Sequence, residues 1–517
     1  MWLNLVFKNI MQKRAKFSLE RLLKQLNLEK KEFVTLLLIT FASIFLRFVN
    51  YGNRWGLAYD QARDVIVSHQ ILVEMEIPIS GPFSASGPFV FGPFWYWFHS
   101  LLTLINPSSV MWLWIIQTSI SSFMPVVMFF IGRKILNNKF GLLLAFLTAI
   151  STAQIAQATN LTYSTFVGFI SVFVLLTLTL FLSTKKTIYV FLMSFLMGLA
   201  INIHFQAVGY FLFLPIILIL NIKSFKNIAF IILGFSIPFI PLIIFDFISN
   251  HYQSSNILKY LLDGGSTLAL PKRWLTYISV YWPNVYSHII GGYWPIGILM
   301  ATVSSIVLVF SIWKRKIEKT IIIVLIFFLL NFVVLRYFKG NIYDSFLVFL
   351  HPYILLITAW VVYKVVIWKK TIGFILLSII IISTFAKNYE EIVNATNYTS
   401  KNSIAIMNNL ENKFPGERFA VYDYRYKNSS RSVPVVMYLF KNNLISDEGR
   451  KIGFVTATIS AELEIHNAPL VLGNLNEIII LDLSKYSRKN LEGKDWIFIN
   501  PSGIYESVIH WYESESQ

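Results

Sequence analysis

Residues 163–183 read YSTFVGFISVFVLLTLTLFLS, a run without one charged side chain. As a helix it is long enough to cross the roughly 30 Å hydrocarbon core of a bilayer. Similar runs recur on both sides of it. They predict eleven spans, near 33–49, 109–132, 140–158, 163–183, 187–204, 206–222, 228–248, 288–313, 320–336, 345–367 and 371–386. Composition excludes an ordinary soluble enzyme. The 517 residues are 56% hydrophobic and 14% charged, where a soluble domain carries about 25% charged residues. The fold class expected is an all-α polytopic membrane protein.

Charge orients the spans. With the N-terminus in the cytoplasm, the short segments 133–139, 184–187, 223–227, 314–319 and 364–370 join residues 1–32 on the inner side, and these hold most of the Lys and Arg of the first 386 residues. The opposite side has only Arg54, Arg63, Lys259, Lys272, Arg273, Arg336 and Lys339, with Arg47 at a boundary. That asymmetry obeys the positive-inside rule. The net charge of +17 therefore belongs to the membrane portion, and no nucleic-acid motif accompanies it. Residues 1–32 read as a basic cytoplasmic segment, amphipathic on the anionic leaflet or partly disordered. Cysteine is absent, which excludes disulfides and thiolate chemistry.

Three domains follow: 1–32; a membrane domain, 33–387, with long external loops at 50–108 and 249–287; and an extracytoplasmic domain, 388–517. In the last, apolar runs shorten to strand length at 418–424, 451–458, 476–483 and 495–500, around a helical stretch near 431–443. Strands alternating with helix predict a small soluble α/β domain. A multi-pass protein of the cell membrane is expected, with its chemically varied parts facing outward.

The first external loop concentrates acids. It reads Tyr59-Asp60-Gln61-Ala62-Arg63-Asp64-Val65-Ile66, and Val65, Ile66, Ile71 and Leu72 fit an amphipathic helix lying along the membrane surface. Asp60 and Asp64 then share one helical face. Like charges so placed repel unless a proton or cation intervenes, so the pair offers either a raised-pKa base or a divalent-ion site, with Arg63 to neutralise one acid. Asp is also a preferred N-cap, and Asp60 read that way simply starts the helix. Further on comes Gly92-Pro93-Phe94-Trp95-Tyr96-Trp97. Its aromatics suit a membrane interface or a wall for a lipid chain or sugar ring.

These two segments resemble the first external loop of bacterial members of the C-type glycosyltransferase superfamily. The nearest branch is the dolichyl-phosphate-mannose–protein mannosyltransferase and aminoarabinose transferase group. Asp60 matches the acid of that family, whereas Gln61 departs from its Asp-Glu form, leaving Asp64 to supply a second acid or metal ligand. Softer matches are Gly132-Arg133-Lys134, Phe140 to Ala145, Gly198 to Phe205 with His204, and Tyr343 to Pro352. The C-terminal domain matches no family.

The resemblance implies a polyprenyl-phosphate-linked sugar donor, reaction at the outer face and inversion at the anomeric carbon. The acceptor is a hydroxyl of a protein, lipid or glycan. Asp60 is then the base, since a carboxylate within hydrogen-bond reach can take the proton of an attacking hydroxyl. The leaving lipid phosphate needs cations, for which Arg273, Arg336, His204, Lys272 and Lys339 are candidates. Tyr59, Arg63, Trp95 and Tyr96 would line the substrate. No cofactor is required by this chemistry, with a divalent cation at Asp60/Asp64 the one candidate. Competing readings are a flippase for lipid-linked sugars, disfavoured by spans almost free of charge, and a non-catalytic envelope scaffold.

Overall fold

A computed structural model of the chain describes residues 28–84, 89–263, 273–337, 344–425, 429–456, 471–475, 478–493 and 495–510. The expected basic segment 1–32 lies mostly outside them. Helices occupy all eleven apolar segments. In chain order they are α1 (Lys30–Phe48), α2 (Tyr59–Glu74), α3 (Phe94–Ile105), α4 (Met111–Ile135), α5 (Asn138–Ile150), α6 (Thr152–Ala158), α7 (Tyr163–Thr184), α8 (Thr187–Ile203), α9 (Tyr210–Leu220), α10 (Phe225–Ser236), α11 (Ile240–Ile248), α12 (Tyr252–Asp263), α13 (Trp282–Ile289), α14 (Trp294–Trp313), α15 (Lys319–Leu335), α16 (His351–Trp368), α17 (Lys370–Val393) and α18 (Tyr398–Lys413).

Among the described residues, six stretches are long and apolar enough to cross a membrane, and the pair α5–α6, bent by 57°, makes a seventh if counted as one span. The other apolar helices are shorter, as Thr187–Ile203 and Lys319–Leu335 are, or carry charge at their ends, as α1 does at Lys30, Lys31, Glu32 and Arg47. Eleven apolar segments are thus eleven helical places in the chain, of which six or seven have full spanning length.

The bend between α5 and α6 is built from polar side chains. In a low-dielectric interior, backbone carbonyls freed by a helix break must find donors. Arg47, fully buried on α1, donates to the carbonyls of Thr148 at 3.4 Å and Ala149 at 3.0 Å. Asn388 of α17 donates to the carbonyl of Ile150 at 2.8 Å. Ser151 Oγ accepts from Gln154 N and starts α6. Beyond α6, Gln117 Nε2 donates to the carbonyl of Asn160 at 2.7 Å. The break thereby sets Asn160 and Tyr163 beside the loop between α1 and α4, where Gly56 bridges to Asn160.

That loop is pinned by a glycine. Gly92 N donates to the carbonyl of Asn202, at the end of α8, at 2.7 Å. A Cβ at position 92 would stand 1.5 Å from Asn202 Oδ1. Only a residue without a side chain allows this approach, and α3 begins directly after it.

The C-terminal domain holds a five-stranded sheet, order β3-β4-β2-β1-β5, formed by β1 (Phe419–Tyr424), β2 (Arg450–Thr456), β3 (Val471–Leu475), β4 (Ile478–Asp482) and β5 (Trp496–Ile499). Helices α19 (Ser429–Lys441), α20 (Arg488–Glu492) and α21 (Pro501–Ile509) accompany it. Strands β1 and β2 pair in parallel, and the other pairs are antiparallel. Parallel neighbours need a crossover, which α19 supplies. Every residue of β1 is buried, as expected of a central strand covered on both faces.

This domain docks on α2. Val65, Ile66 and Ile71 share one buried apolar cluster with Val433, Val436, Tyr505 and Val508. Polar contacts frame the seam. Lys441 Nζ lies 3.1 Å from His69 Nδ1 and donates to the carbonyl of Pro107 at 2.8 Å, while Glu76 meets His510 at 2.9 Å and accepts from Tyr505. Burial, reinforced by Lys441, pushes His69 down to about 4, so at neutral pH its ring is uncharged and accepts from Lys441. The helix expected to lie half-solvated on the membrane surface is instead covered on both sides, with Gln61 to Ser68 all buried.

The glycine constraint is testable. Gly92→Ala is expected to cost about 1–3 kcal/mol or more through overpacking, seen as a lower melting temperature of the detergent-purified protein. Gly52→Ala, where an added Cβ meets nothing within 4 Å, is expected to leave it unchanged.

Candidate active site

Helix α2 starts at Tyr59, and its N-cap is Ala58 rather than Asp60. Ala58 has no capping oxygen. Gln61 compensates: its Oε1 accepts from Ala58 N at 3.0 Å, and its Nε2 donates to Asn160 Oδ1 at 3.0 Å. The position where the family-like sequence would carry Glu thus holds a neutral amide that caps α2 and ties it to the loop after α6. Asp60 is the second residue of the helix, where a carboxylate also meets the favourable end of the helix dipole.

The expected face forms. Arg63 lies between the two acids and bonds both: Nη1 to Asp60 Oδ1 at 2.9 Å, and Nε and Nη2 to Asp64 Oδ1 at 2.9 and 2.8 Å. The acids differ in everything else. Asp64 is 1% exposed. Its Oδ2 accepts from Trp95 Nε1 at 2.8 Å, and its Oδ1 also accepts from Tyr96 OH at 3.2 Å. Asp60 keeps half of its side chain, 52%, exposed and rests on Arg63. Two carboxylates against one guanidinium leave one negative charge. It falls on the exposed acid.

Electrostatics follow from burial. Partial desolvation raises the Asp60 carboxyl above its ordinary value; Arg63 opposes the rise, and the nearby Asp64 charge adds to it. Burial works against the Arg63 charge, yet Asp64 and Asp60 hold its affinity for the proton well above normal. Burial, with Asp64 beside it, raises Tyr96 far up, so it remains a phenol that donates to the carboxylate. Beneath Trp95, the His99 ring sits 4.0 Å away with both nitrogens unpartnered. Burial brings it down to about 3, and it packs as a neutral ring.

Of the residues named from the sequence, Tyr59, Asp60, Arg63, Asp64, Trp95 and Tyr96 come together. The Tyr59 ring lies 5.7 Å from the Arg63 guanidinium. His204 joins through aromatic contacts: it stacks on Tyr163 at 5.1 Å, and Tyr163 lies 6.2 Å from Trp95. Its Nδ1 accepts from Gln206 N at 3.0 Å, which starts the turn after α8. Arg336 and Arg273 form a second group. The Arg336 guanidinium stands 5.7 Å from the Trp274 ring, with its Nε buried and without a partner among the described residues, and exposed Arg273 directly precedes that tryptophan. Lys272 and Lys339 lie outside the described residues.

Two site residues were not anticipated. Tyr163 lies close enough for its hydroxyl to feel the Arg63 charge, and Asn160 holds Gln61. The polar break Asn160-Leu161-Thr162 between two apolar runs is the signal that could have found them. As for a divalent cation, Arg63 already occupies the place between the two acids, and both oxygens of Asp64 are engaged. Among the described residues no group of three or more His, Asp or Glu could hold a metal.

No family model matches the sequence, and no curated protein matches it. Solved structures do match in shape. ArnT from Cupriavidus metallidurans bound to undecaprenyl phosphate gives a TM-score of 0.61 at 8% identity, over 87% of this chain and 97% of that one. Its apo state gives 0.58, also at 8% identity, over 87% and 96%. The archaeal oligosaccharyltransferase AglB from Archaeoglobus fulgidus, in complex with an inhibitory peptide and a dolichol-phosphate, gives 0.50 at 11% identity, over 93% and 77%. Both are C-type glycosyltransferases. At such identities the likeness is one of fold, and the fold is the one that the first-loop resemblance implies.

The unequal acids predict unequal variants. Asp64→Asn removes the buried partner of Arg63 and is expected to destabilise by about 3–5 kcal/mol. Asp60→Asn breaks a half-exposed ion pair worth at most about 1 kcal/mol. Thermal melts of the two detergent-purified proteins check the order.

Proposed function

We propose that the chain is a membrane glycosyltransferase. It moves a sugar from a polyprenyl-phosphate-linked donor to an acceptor hydroxyl at the outer face of the membrane, with inversion at the anomeric carbon. One observation carries the reading: a single exposed carboxylate, Asp60, set on a buried Arg63–Asp64 pair within a fold shared with ArnT and AglB. The outward orientation is supported by the Lys and Arg asymmetry along the chain.

In this reading the acceptor oxygen attacks the anomeric carbon as Asp60 takes its proton. The bond from that carbon to the phosphate oxygen breaks, and the polyprenyl phosphate leaves with the electron pair. Asp64 is not the base in this reading, because both of its oxygens are already engaged by Arg63, Trp95 and Tyr96. Arg336 and Arg273 are the cations assigned to the leaving phosphate. Arg336 favours this role with a buried Nε that has no partner among the described residues, since a guanidinium can present two parallel donors to phosphate. The flippase alternative needs ionisable groups along a path through the spans. Arg47, a fully buried cation there, is spent on helix-end carbonyls and on Ser43 and Ser121.

Membranes carrying wild type or Asp60→Asn, matched for protein level and supplied with a panel of radiolabelled polyprenyl-phosphate sugars, test the proposal. Wild type is expected to pass label to a non-donor product, and Asp60→Asn to lose about 10²- to 10⁴-fold of that rate, the usual range for a general base. Equal rates in the two would remove Asp60 from the mechanism.

The pH profile gives a second check. A base works only when deprotonated, and the Asp60 carboxyl is raised. Transfer should therefore fall with acidification along a limb centred above the ordinary aspartate value of about 3.9. A limb at or below that value would contradict the role of burial.

A further inference from the structure

Beside the Asp60 cluster lies a cavity of about 290 Å³ that the mechanism above does not use. Its walls come from three places: the turn before α2, the segment from α6 to Asn160, and the end of α17. Asn53, Arg54, Thr159, Asn160, Asn388, Glu391 and Thr396 are its polar lining. The cavity shares a wall with the site, because Asn160 Oδ1 accepts from Gln61, the chain neighbour of Asp60.

The chemistry of this lining is particular. Asn53 is engaged at both ends, by Asn50 and Lys401, but Asn160, with its Oδ1 on Gln61, keeps its amide donor, the Thr159 hydroxyl, which donates to the carbonyl of Ala156, can still accept, and the Thr396 hydroxyl can do both. No aromatic residue contributes. Asn388 is buried, spends its Nδ2 on the carbonyl of Ile150 and has no partner for Oδ1. A buried acceptor left so is costly unless a ligand or water supplies a hydrogen. The charges are already committed. Arg54 donates to the carbonyls of Leu46 at 2.7 Å, Val49 at 3.1 Å and Ile155 at 3.4 Å, and Glu391 has Lys387 at 3.8 Å. Neither a free guanidinium fork for phosphate nor an unbalanced carboxylate for an amine remains. Hydroxyl groups, which donate and accept at once, fit the lining. A volume near the lower end of the range for small-molecule pockets, about 300–1,000 Å³, suits one ring rather than a chain.

We propose that this cavity is a carbohydrate subsite that seats one neutral, hydroxyl-rich ring next to Asp60. The inference rests on the transferase reading for the ring's purpose. The ring belongs either to the acceptor or to the donor sugar, and the two sources separate by experiment.

Full-length protein in nanodiscs is titrated with methyl glycosides of hexoses and pentoses, followed by saturation-transfer NMR. Two variants accompany the wild type: Ala395→Phe, which fills the cavity from a half-exposed loop position, and Glu391→Gln, which keeps the volume. At least one glycoside should bind the wild type saturably. Ala395→Phe should weaken it about tenfold or more, the equivalent of one or two lost hydrogen bonds, at an unchanged melting temperature. Glu391→Gln should weaken it less. No binding to the wild type, or equal binding to wild type and Ala395→Phe, overturns the proposal.

In the transfer assay, Ala395→Phe should raise one KM about tenfold with kcat nearly unchanged. A rise for the acceptor assigns the ring to the acceptor, and a rise for the donor assigns it to the donor. Glycoside binding lost in Ala395→Phe, together with no transfer by the wild type, keeps the subsite and removes the transferase reading. Transfer that depends on Asp60 but is indifferent to Ala395→Phe keeps the transferase and removes the subsite.

Discussion

A buried ion pair, Arg63 with Asp64, sets the terms for everything near it. Taking two charges out of water is costly, and their attraction offsets the cost only when the remaining hydrogen-bond capacity is filled. Asp64 meets that demand with two bonds from Arg63, one from Trp95 and one from Tyr96. These aromatics reach it only because α3 starts where it does, and α3 starts there because Gly92 touches the end of α8. Tyr163, at the head of α7, comes to Arg63 from the other side. One electrostatic requirement thus fixes α2, α3, α7 and α8 relative to one another. It also decides which acid stays exposed, since Asp64 is buried in that pair and Asp60 is not.

A second requirement acts inside the membrane portion. A helix broken between α5 and α6 would leave carbonyls without donors where no water can replace them. Arg47 and Asn388 fill that need from two neighbouring helices. The chain can then leave the direction of α5 and deliver Asn160 to Gln61. Asn388 serves both ends of this arrangement. One side of its amide closes the break, and the residue as a whole stands in the wall of the adjoining cavity.

Much of this was legible in the sequence, for physical reasons. Apolar runs of spanning length mark helices because lipid leaves them no alternative, and β1, β2, β4 and β5 were marked by short apolar runs rich in β-branched and aromatic residues. Strand β3 was missed because Gly473 and Asn474 dilute its pattern and its register shifts at that point. The shared face of Asp60 and Asp64 followed from helical spacing alone. Their division of labour did not, because exposure depends on what covers α2. That cover comes from α19 and α21, more than 300 residues along the chain, and no local pattern reports it. Asp60 as N-cap was wrong for a local reason: Gln61 reaches back to Ala58 and starts the helix two residues earlier. Tyr163 was hidden by its position at the edge of an apolar run, where an aromatic residue reads as lipid-facing.

The C-terminal domain finds a physical purpose in this geometry. An isolated helix of sixteen residues is marginal in water, and α2 carries buried charge that gains nothing from helix propensity. It needs tertiary contacts along its whole length. The membrane portion holds its start through Gln61, Arg63 and Asp64. The C-terminal domain holds its middle and end through Lys441 on His69 and through Tyr505 and His510 on Glu76. Uncharged His69 accepts from Lys441 without adding a further cation beside α2. A carboxylate that works as a base must keep its position within a fraction of an ångström of the hydroxyl it serves. A helix clamped at both ends provides that for Asp60 in the proposed role, while its first turn leaves the Asp60 carboxylate half-exposed.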